Sequence, residues 1–127
     1  MTSDGGSVAS DGQEVLDPSR LAILRELAGP ADLSELAESY AVEAAAAVAA
    51  MRVAVAANEL GNVVAIAHRF RGSCLTVGAT RLAGALLDVE DRYARARLEP
   101  FTVPLELLAA EADAASRALR HLFPVPG

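Results

Sequence analysis

Three residues within five positions hold the chemistry this chain can offer. They are His68, Arg71 and Gly72, in the stretch "VVAIAHRFRGSCLTVGATRL" at residues 63–82. A histidine with an ordinary pKa near 6.5 has one unprotonated ring nitrogen at neutral pH and needs no further activation to act as a nucleophile. An arginine three positions on lies within reach on a helix, and its forked cation suits phosphate or carboxylate oxygens. A glycine four positions on costs a helix about 1 kcal/mol relative to alanine. Its missing side chain lets another molecule come close to the imidazole. A nucleophilic nitrogen, a neighbouring cation and cleared space are what a docked phosphoryl donor needs, because phosphoryl transfer depends mainly on alignment and charge stabilisation.

The helix that must position them runs from about residue 59 to 76, with Asn58 as its expected cap. Leu60, Val63, Ala67, Phe70 and Cys74 recur at 3-4 spacing and form one inward stripe. At about 100° per residue His68 stands roughly 130° from the centre of that stripe, pointing away from a core. Its side of the helix carries Gly61, Val64, Ala65, Arg71, Gly72 and Leu75, where an ordinary solvated face would be charged throughout. Gly61, Val64, Ala65, Arg69 and Leu75 are therefore the candidate docking surface around the histidine. Singly, each has a plainer reading: a surface histidine, a packing glycine, solvated arginines. Their joint spacing is what weighs for function.

Other chemistry-bearing residues read as structural. Cys74 falls on the inward stripe and reads as a small buried hydrophobe. It lies about 120° from His68 around the helix, so a Cys–His dyad for a hydrolase does not form. His121 sits where an imidazole complements a helix C-terminus. Glu90 and Asp91 read as solvent-facing or structural, and Tyr40, Tyr93 and Phe70 as core or core edge. Two histidines and one cysteine without ligand spacing offer no metal site.

Around this helix the rest of the chain is also helical. "LDPSRLAILREL" starts a short helix, with Asp17 as N-cap, Pro18 at the first position, and Leu21, Leu24 and Leu27 as its apolar side. A long helix spans about Asp32 to Ala57, with Leu33, Leu36, Tyr40, Ala44, Ala47, Met51 and Val55 on one face. Past Gly78, a fourth runs over about 79–97 with Leu82, Leu86, Val89 and Tyr93 inside and Asp88, Asp91, Arg92 and Arg95 outside. "LEPFTVP", 98–104, is a Pro-bounded loop, and the last helix covers about 104–122 with Leu105, Leu108, Ala112, Ala115 and Leu119 inside. The fold class expected is all-α: an antiparallel up-down-up-down four-helix bundle with an additional short N-terminal helix. Residues 1–16 are expected to be a disordered, Gly/Ser-rich tail, 17–123 the bundle, and 124–127 a C-terminal tail.

Composition narrows the partners. The chain has 127 residues, 53% hydrophobic but only 4% aromatic, enough for one core. A net charge of −6 argues against a nucleic-acid partner, which calls for a basic face. All eleven cations are arginine. The longest uninterrupted apolar run, Ala44 to Met51, falls short of a membrane span, and the N-terminus lacks the pattern of a signal peptide. A cytoplasmic monomer is the expectation.

Residues 67–91, "AHRFRGSCLTVGATRLAGALLDVED", resemble the signature of histidine-containing phosphotransfer (HPt) domains, approximately Ala-His-x-Leu-Lys-Gly-Ser-Ser, then Gly-Ala-x-x-Leu and an apolar residue before Glu. Ala67, His68, Gly72, Ser73, Gly78, Ala79 and Leu82 match, and Val89-Glu90 stands at the final pair. Phe70 replaces Leu, Arg71 replaces Lys, and Cys74 takes the second serine position. The resemblance implies a four-helix bundle with His68 phosphorylated on Nε2, Arg71 stabilising the phosphate, and Gly72 clearing space for the partner. It implies exchange with an aspartate on response-regulator receiver domains, a hybrid histidine kinase as a further partner, no cofactor in this chain, and Mg on the receiver. Such modules have no kinase activity of their own. The competing reading is a non-phosphorylated helical interaction module that docks a signalling partner.

Overall fold

The computed structural model describes residues 14–95 and 105–127, with side chains up to residue 92 in the first span. It holds five helices and, among the described residues, no strand: α1 Pro18–Leu27, α2 Pro30–Ala56, α3 Leu60–Val77, α4 Thr80–Arg95 and α5 Leu105–Leu122. Helices α2 to α5 pack as a ring in chain order, each against its antiparallel neighbours, and α5 closes back on α2. Helix α1 lies against α3. The expected all-α bundle with a short leading helix is what forms.

Helix α1 begins as its residues dictate. Asp17 Oδ1 accepts from the Ser19 amide at 3.0 Å, and Pro18 opens the first turn. Leu21 and Leu24 are buried, but Leu27 is 75% exposed. Residues spaced by three drift about 60° per step around a helix, so the third leucine has rotated off the apolar side. The core starts ahead of α1: Leu16, within the expected N-terminal tail, is buried. Residues 1–13, the 98–104 loop and the expected inward position of Tyr93 lie outside what is described.

Alanine dominates α2 and lets its neighbours approach closely. The buried face is Leu33, Ala37, Tyr40, Ala41, Ala44, Val48, Met51 and Ala54, while Leu36, Ala47 and Val55 are only partly buried. The helix starts at Pro30, two residues earlier than expected, because proline is well suited to a first turn. By length and mean hydropathy, 1.4 over its most apolar window, α2 could cross a membrane, although its uninterrupted apolar runs are short. One face of it is given to the core between α3 and α5, while a third of that window is buried and Val42 and Val53 stand exposed.

Asn58 does not cap α3. It holds φ 59°, the left-handed region, and ends α2: its amide bonds to Val55 O at 3.0 Å, and that of Glu59 to Ala54 O at 2.8 Å. Asparagine tolerates that backbone region better than most residues, so it serves as terminator, and Glu59 takes the N-cap position.

Gly78 ends α3 in the same manner at φ 82°, with its amide bonded to Leu75 O and that of Ala79 to Cys74 O. It is held from outside as well. Its carbonyl accepts from the Asp17 amide at 2.7 Å, and a Cβ there would stand 3.0 Å from Arg20 Cβ. Arg20 Nε donates to Thr76 O at 2.9 Å. Helix α1 is thus pinned to the end of the helix that carries His68. Ion pairs join other helices at the surface: Arg81 to Glu111 at 2.8 Å, Arg120 to Glu38 at 2.9 Å and Arg52 to Glu106 at 3.4 Å.

Candidate functional site

The inward stripe of α3 is built as its spacing requires. Val63, Ala67, Phe70, Cys74 and Val77 are buried, and Leu60 is half-buried at the first turn. Phe70 stacks on Tyr40 of α2, with ring centroids 5.8 Å apart, and the Tyr40 hydroxyl lies 3.6 Å from Cys74 Sγ. Burial pushes the Cys74 thiol up to about 12, with Glu43 adding to the rise against the hydrogen bond from Tyr40. Burial likewise raises the Tyr40 phenol, with Cys74 and Glu43 acting in the same direction. Neither group ionises near neutral pH. Beside them, Ser73 donates to Glu43 at 2.7 Å and ties α3 to α2. With its core side anchored this way, α3 has its rotation fixed, and the outward residues follow.

His68 stands on the outer surface with 69% of its side chain exposed. It leans toward α4, where its Nδ1 lies 3.1 Å from Oε1 of Glu90. The same carboxylate accepts from Arg71 Nε through Oε2 at 2.8 Å. Arg71 Nη2 passes 3.5 Å from His68 Nδ1. The three side chains form one cluster whose centre is Glu90, only 16% exposed. Burial works to raise the Glu90 carboxyl, but the hydrogen bonds from Arg71 and His68 and the charge beside it outweigh that, holding it below its ordinary value of 4.5.

A carboxylate can only accept, so the short contact to His68 places the ring proton on Nδ1. With the proton there, the approach of Arg71 Nη2 is a close contact between two donors and not a hydrogen bond. The other ring nitrogen, Nε2, then carries the lone pair. It has no hydrogen-bond partner among the described residues.

Gly72 is exposed, and a Cβ placed on it would meet nothing within 4 Å. Among the described residues no neighbour explains the glycine, so packing against a described helix is not its cause. Its carbonyl accepts from the Thr76 hydroxyl at 3.1 Å.

The candidate docking residues divide around the helix. Gly61 and Ala65 are exposed near the outermost line with Gly72. Val64, half-buried, and Leu75, 47% exposed, lie on the α4 side with His68. Arg69 is exposed on the other side, over a groove lined by Ala46, Ala50, Ile66 and Phe70. The residue that sequence reasoning passes over is Glu90, whose pattern reads as solvent-facing or structural. Its place in the apolar-Glu pair of the signature is the one signal available. Asp91, by contrast, is exposed. Cys74 and His68 diverge, one buried and one outward, and His121 is exposed in the last turn of α5. Among the described residues no three His, Cys, Asp or Glu side chains converge as a metal site.

A helical bundle that presents one imidazole on its surface, oriented by a carboxylate from the next helix, defines a histidine-presenting module. The Hpt domain model matches residues 35–118, more than half of the chain, and the protein belongs to that family of phosphocarrier modules. The fold is shared with the crystal structure of histidine-containing phosphotransfer protein B from Pseudomonas aeruginosa PAO1. The TM-score is 0.68 at 22% sequence identity, covering 88% of this chain and 93% of that one. No curated protein matches the sequence.

Proposed function

We propose that this protein is a phosphorelay intermediate in two-component signalling, taking a phosphoryl group on His68 Nε2 and exchanging it with an aspartate of response-regulator receiver domains. The observation that carries the reading is the Nδ1–Glu90 contact at 3.1 Å on a ring that is 69% exposed. It directs the lone pair to the nitrogen that faces outward. Attack by Nε2 on an aspartyl phosphate forms the N–P bond as the acyl O–P bond breaks, and its electron pair returns to the receiver carboxylate. Arg71 keeps N–H groups free after its Nε bond to Glu90, and these stabilise the phosphoryl oxygens. Gly72, with open space around it, lets the partner's surface come down on α3, over Gly61, Val64, Ala65, Arg69 and Leu75. Magnesium belongs to the receiver, which supplies its own ligands. The protein works as a cytoplasmic monomer with receivers or a hybrid histidine kinase as partners.

The test is incubation with a phosphorylated receiver domain or with phosphoramidate. An acid-labile, base-stable phosphoryl adduct is expected on the wild type and none on His68→Gln, which remains folded because the ring is mostly solvent-facing. An adduct retained by His68→Gln would place the acceptor elsewhere.

A further inference from the structure

Helices α2 and α5 close the bundle on the side away from His68, which leans from α3 toward α4. A groove of about 360 Å³ runs between them, at the small end of the range for ligand sites. Small side chains make it: Ala44, Ala45, Val48, Ala109 and Ala112 form its floor. We infer that this groove binds a small amphipathic carboxylate, with its acyl chain on the alanine floor and its carboxylate held by Ser116 and Arg120. The site stands apart from the relay and does not depend on His68 accepting a phosphoryl group.

Ser116 is the residue that points to a ligand. It lines the groove and is only 7% exposed, yet its hydroxyl has no hydrogen-bond partner among the described residues. A buried hydroxyl left unpaired costs stability unless a polar atom reaches it. Within a helix, serine and threonine can meet that need by bonding back to the carbonyl four residues earlier, as Thr76 does to Gly72. Ser116 makes no such bond. Alanine in its place would extend the floor without the penalty.

The other polar groups of the groove are mostly donors. Arg120 lies one turn past Ser116 on the same face of α5. It gives Nε and Nη2 to Glu38 and keeps further N–H groups. Arg52 also lines the groove and meets Glu106 only at 3.4 Å. Asp113 is the one carboxylate on the lining among the described residues, and Arg117 occupies it. Donors in excess call for an acceptor, and a carboxylate takes a hydroxyl and a guanidinium together in charge-assisted bonds. The pairs Arg120–Glu38 and Arg52–Glu106 show α2 and α5 running antiparallel, so Ser116 stands level with the stretch from Ala41 to Ala45. From there the apolar floor runs toward Arg52, about 15 Å away at the helical rise. A straight hydrocarbon chain suits that path.

The probe is octanoate, titrated into the 15N-labelled full chain, with 1-octanol as an uncharged control of equal chain length. Saturable NMR shifts are expected at amides of α2 between Ala41 and Arg52 and of α5 between Ala109 and Arg120, with octanol binding several-fold more weakly. Ser116→Ala breaks no side-chain bond within the described fold. It is expected to stay folded and to weaken octanoate by about three- to tenfold, the loss of one hydrogen bond. Ala45→Leu, at an exposed position on the lining, fills the floor and is expected to abolish the shifts. No saturable shifts in the wild type, or shifts centred elsewhere, would overturn the site. Octanol binding as tightly as octanoate would overturn the carboxylate. Wild-type affinity in Ser116→Ala or in Ala45→Leu would remove the hydroxyl or the floor from the account, and the inference with it.

Discussion

Arg71 binds Glu90, not His68: its Nε donates to the carboxylate at 2.8 Å, and only an Nη passes near the ring, at 3.5 Å. The cation beside the histidine is therefore anchored before any phosphoryl group arrives. Arg71→Lys keeps the charge but loses the planar fork that serves a carboxylate on one edge and leaves donors on the other. Uptake from phosphoramidate is expected to slow several-fold while the fold and the Nδ1 tautomer persist, as read by circular dichroism and imidazole 15N shifts. Uptake at the wild-type rate would mean that Arg71 contributes charge alone.

Acid should take the cluster apart. The folded pKa of Glu90 lies below its ordinary value of 4.5, so its contribution to stability is complete above that value. It is lost as pH falls through the depressed one. The His68 and Arg71 resonances are expected to report the release of Glu90 in that lower range. A midpoint at or above 4.5 would contradict the bonded carboxylate.

Gly72 makes opposite predictions for stability and transfer. With nothing within 4 Å of the place a Cβ would occupy, Gly72→Ala is expected to stabilise the fold by about 0.5–1 kcal/mol, seen as a higher Tm. Gly72→Glu should fold and lose transfer from a receiver while still accepting from the much smaller phosphoramidate. Normal exchange with the receiver would refute the clearance argument.

Gly78 differs from Gly72 in every respect that matters. Its φ of 82° and the 3.0 Å approach of Arg20 Cβ leave no room for a side chain. Gly78→Ala is expected to cost about 1–3 kcal/mol from the left-handed backbone, before any shift of α1. Chemical denaturation measures it; a loss below about half a kcal/mol, the effect of an ordinary surface change, would sink the account.

The two glycines also show what could be read from the sequence. Gly78 ends an apolar period and reads as a stop. His68 falls off the stripe of α3 by simple angular counting, and the structure places it outward. The face of α2 is harder. With alanine at eleven of its 27 positions, burying one side or its neighbour differs little in pattern, and Ala37, Ala41, Val48 and Ala54 join the core unannounced. Glu90 is harder still. Its partners lie 19 and 22 positions away on another helix, and a carboxylate bound to them looks, in one dimension, like any acidic residue on an amphipathic helix. Asn58 misleads because asparagine favours both helix starts and left-handed stops, and only the chain path tells which.

Phe70 replaces the leucine of the family signature, and its ring is spent on Tyr40. Phe70→Leu is expected to lose about 1 kcal/mol from that aromatic pair beyond what volume alone explains. A double-mutant cycle with Tyr40→Leu isolates it, and a coupling energy near zero would show the stacking to be incidental.

Cys74, the chain's lone sulfhydryl, is fully enclosed beside that pair. A maleimide or disulfide reagent in solution must wait for the helices to part before it can react. The rate of modification is therefore a clock for transient opening, read at one atom on the rod that holds the imidazole. Slower ticking in the presence of a bound receiver would report, without any engineered label, that docking tightens the bundle from outside.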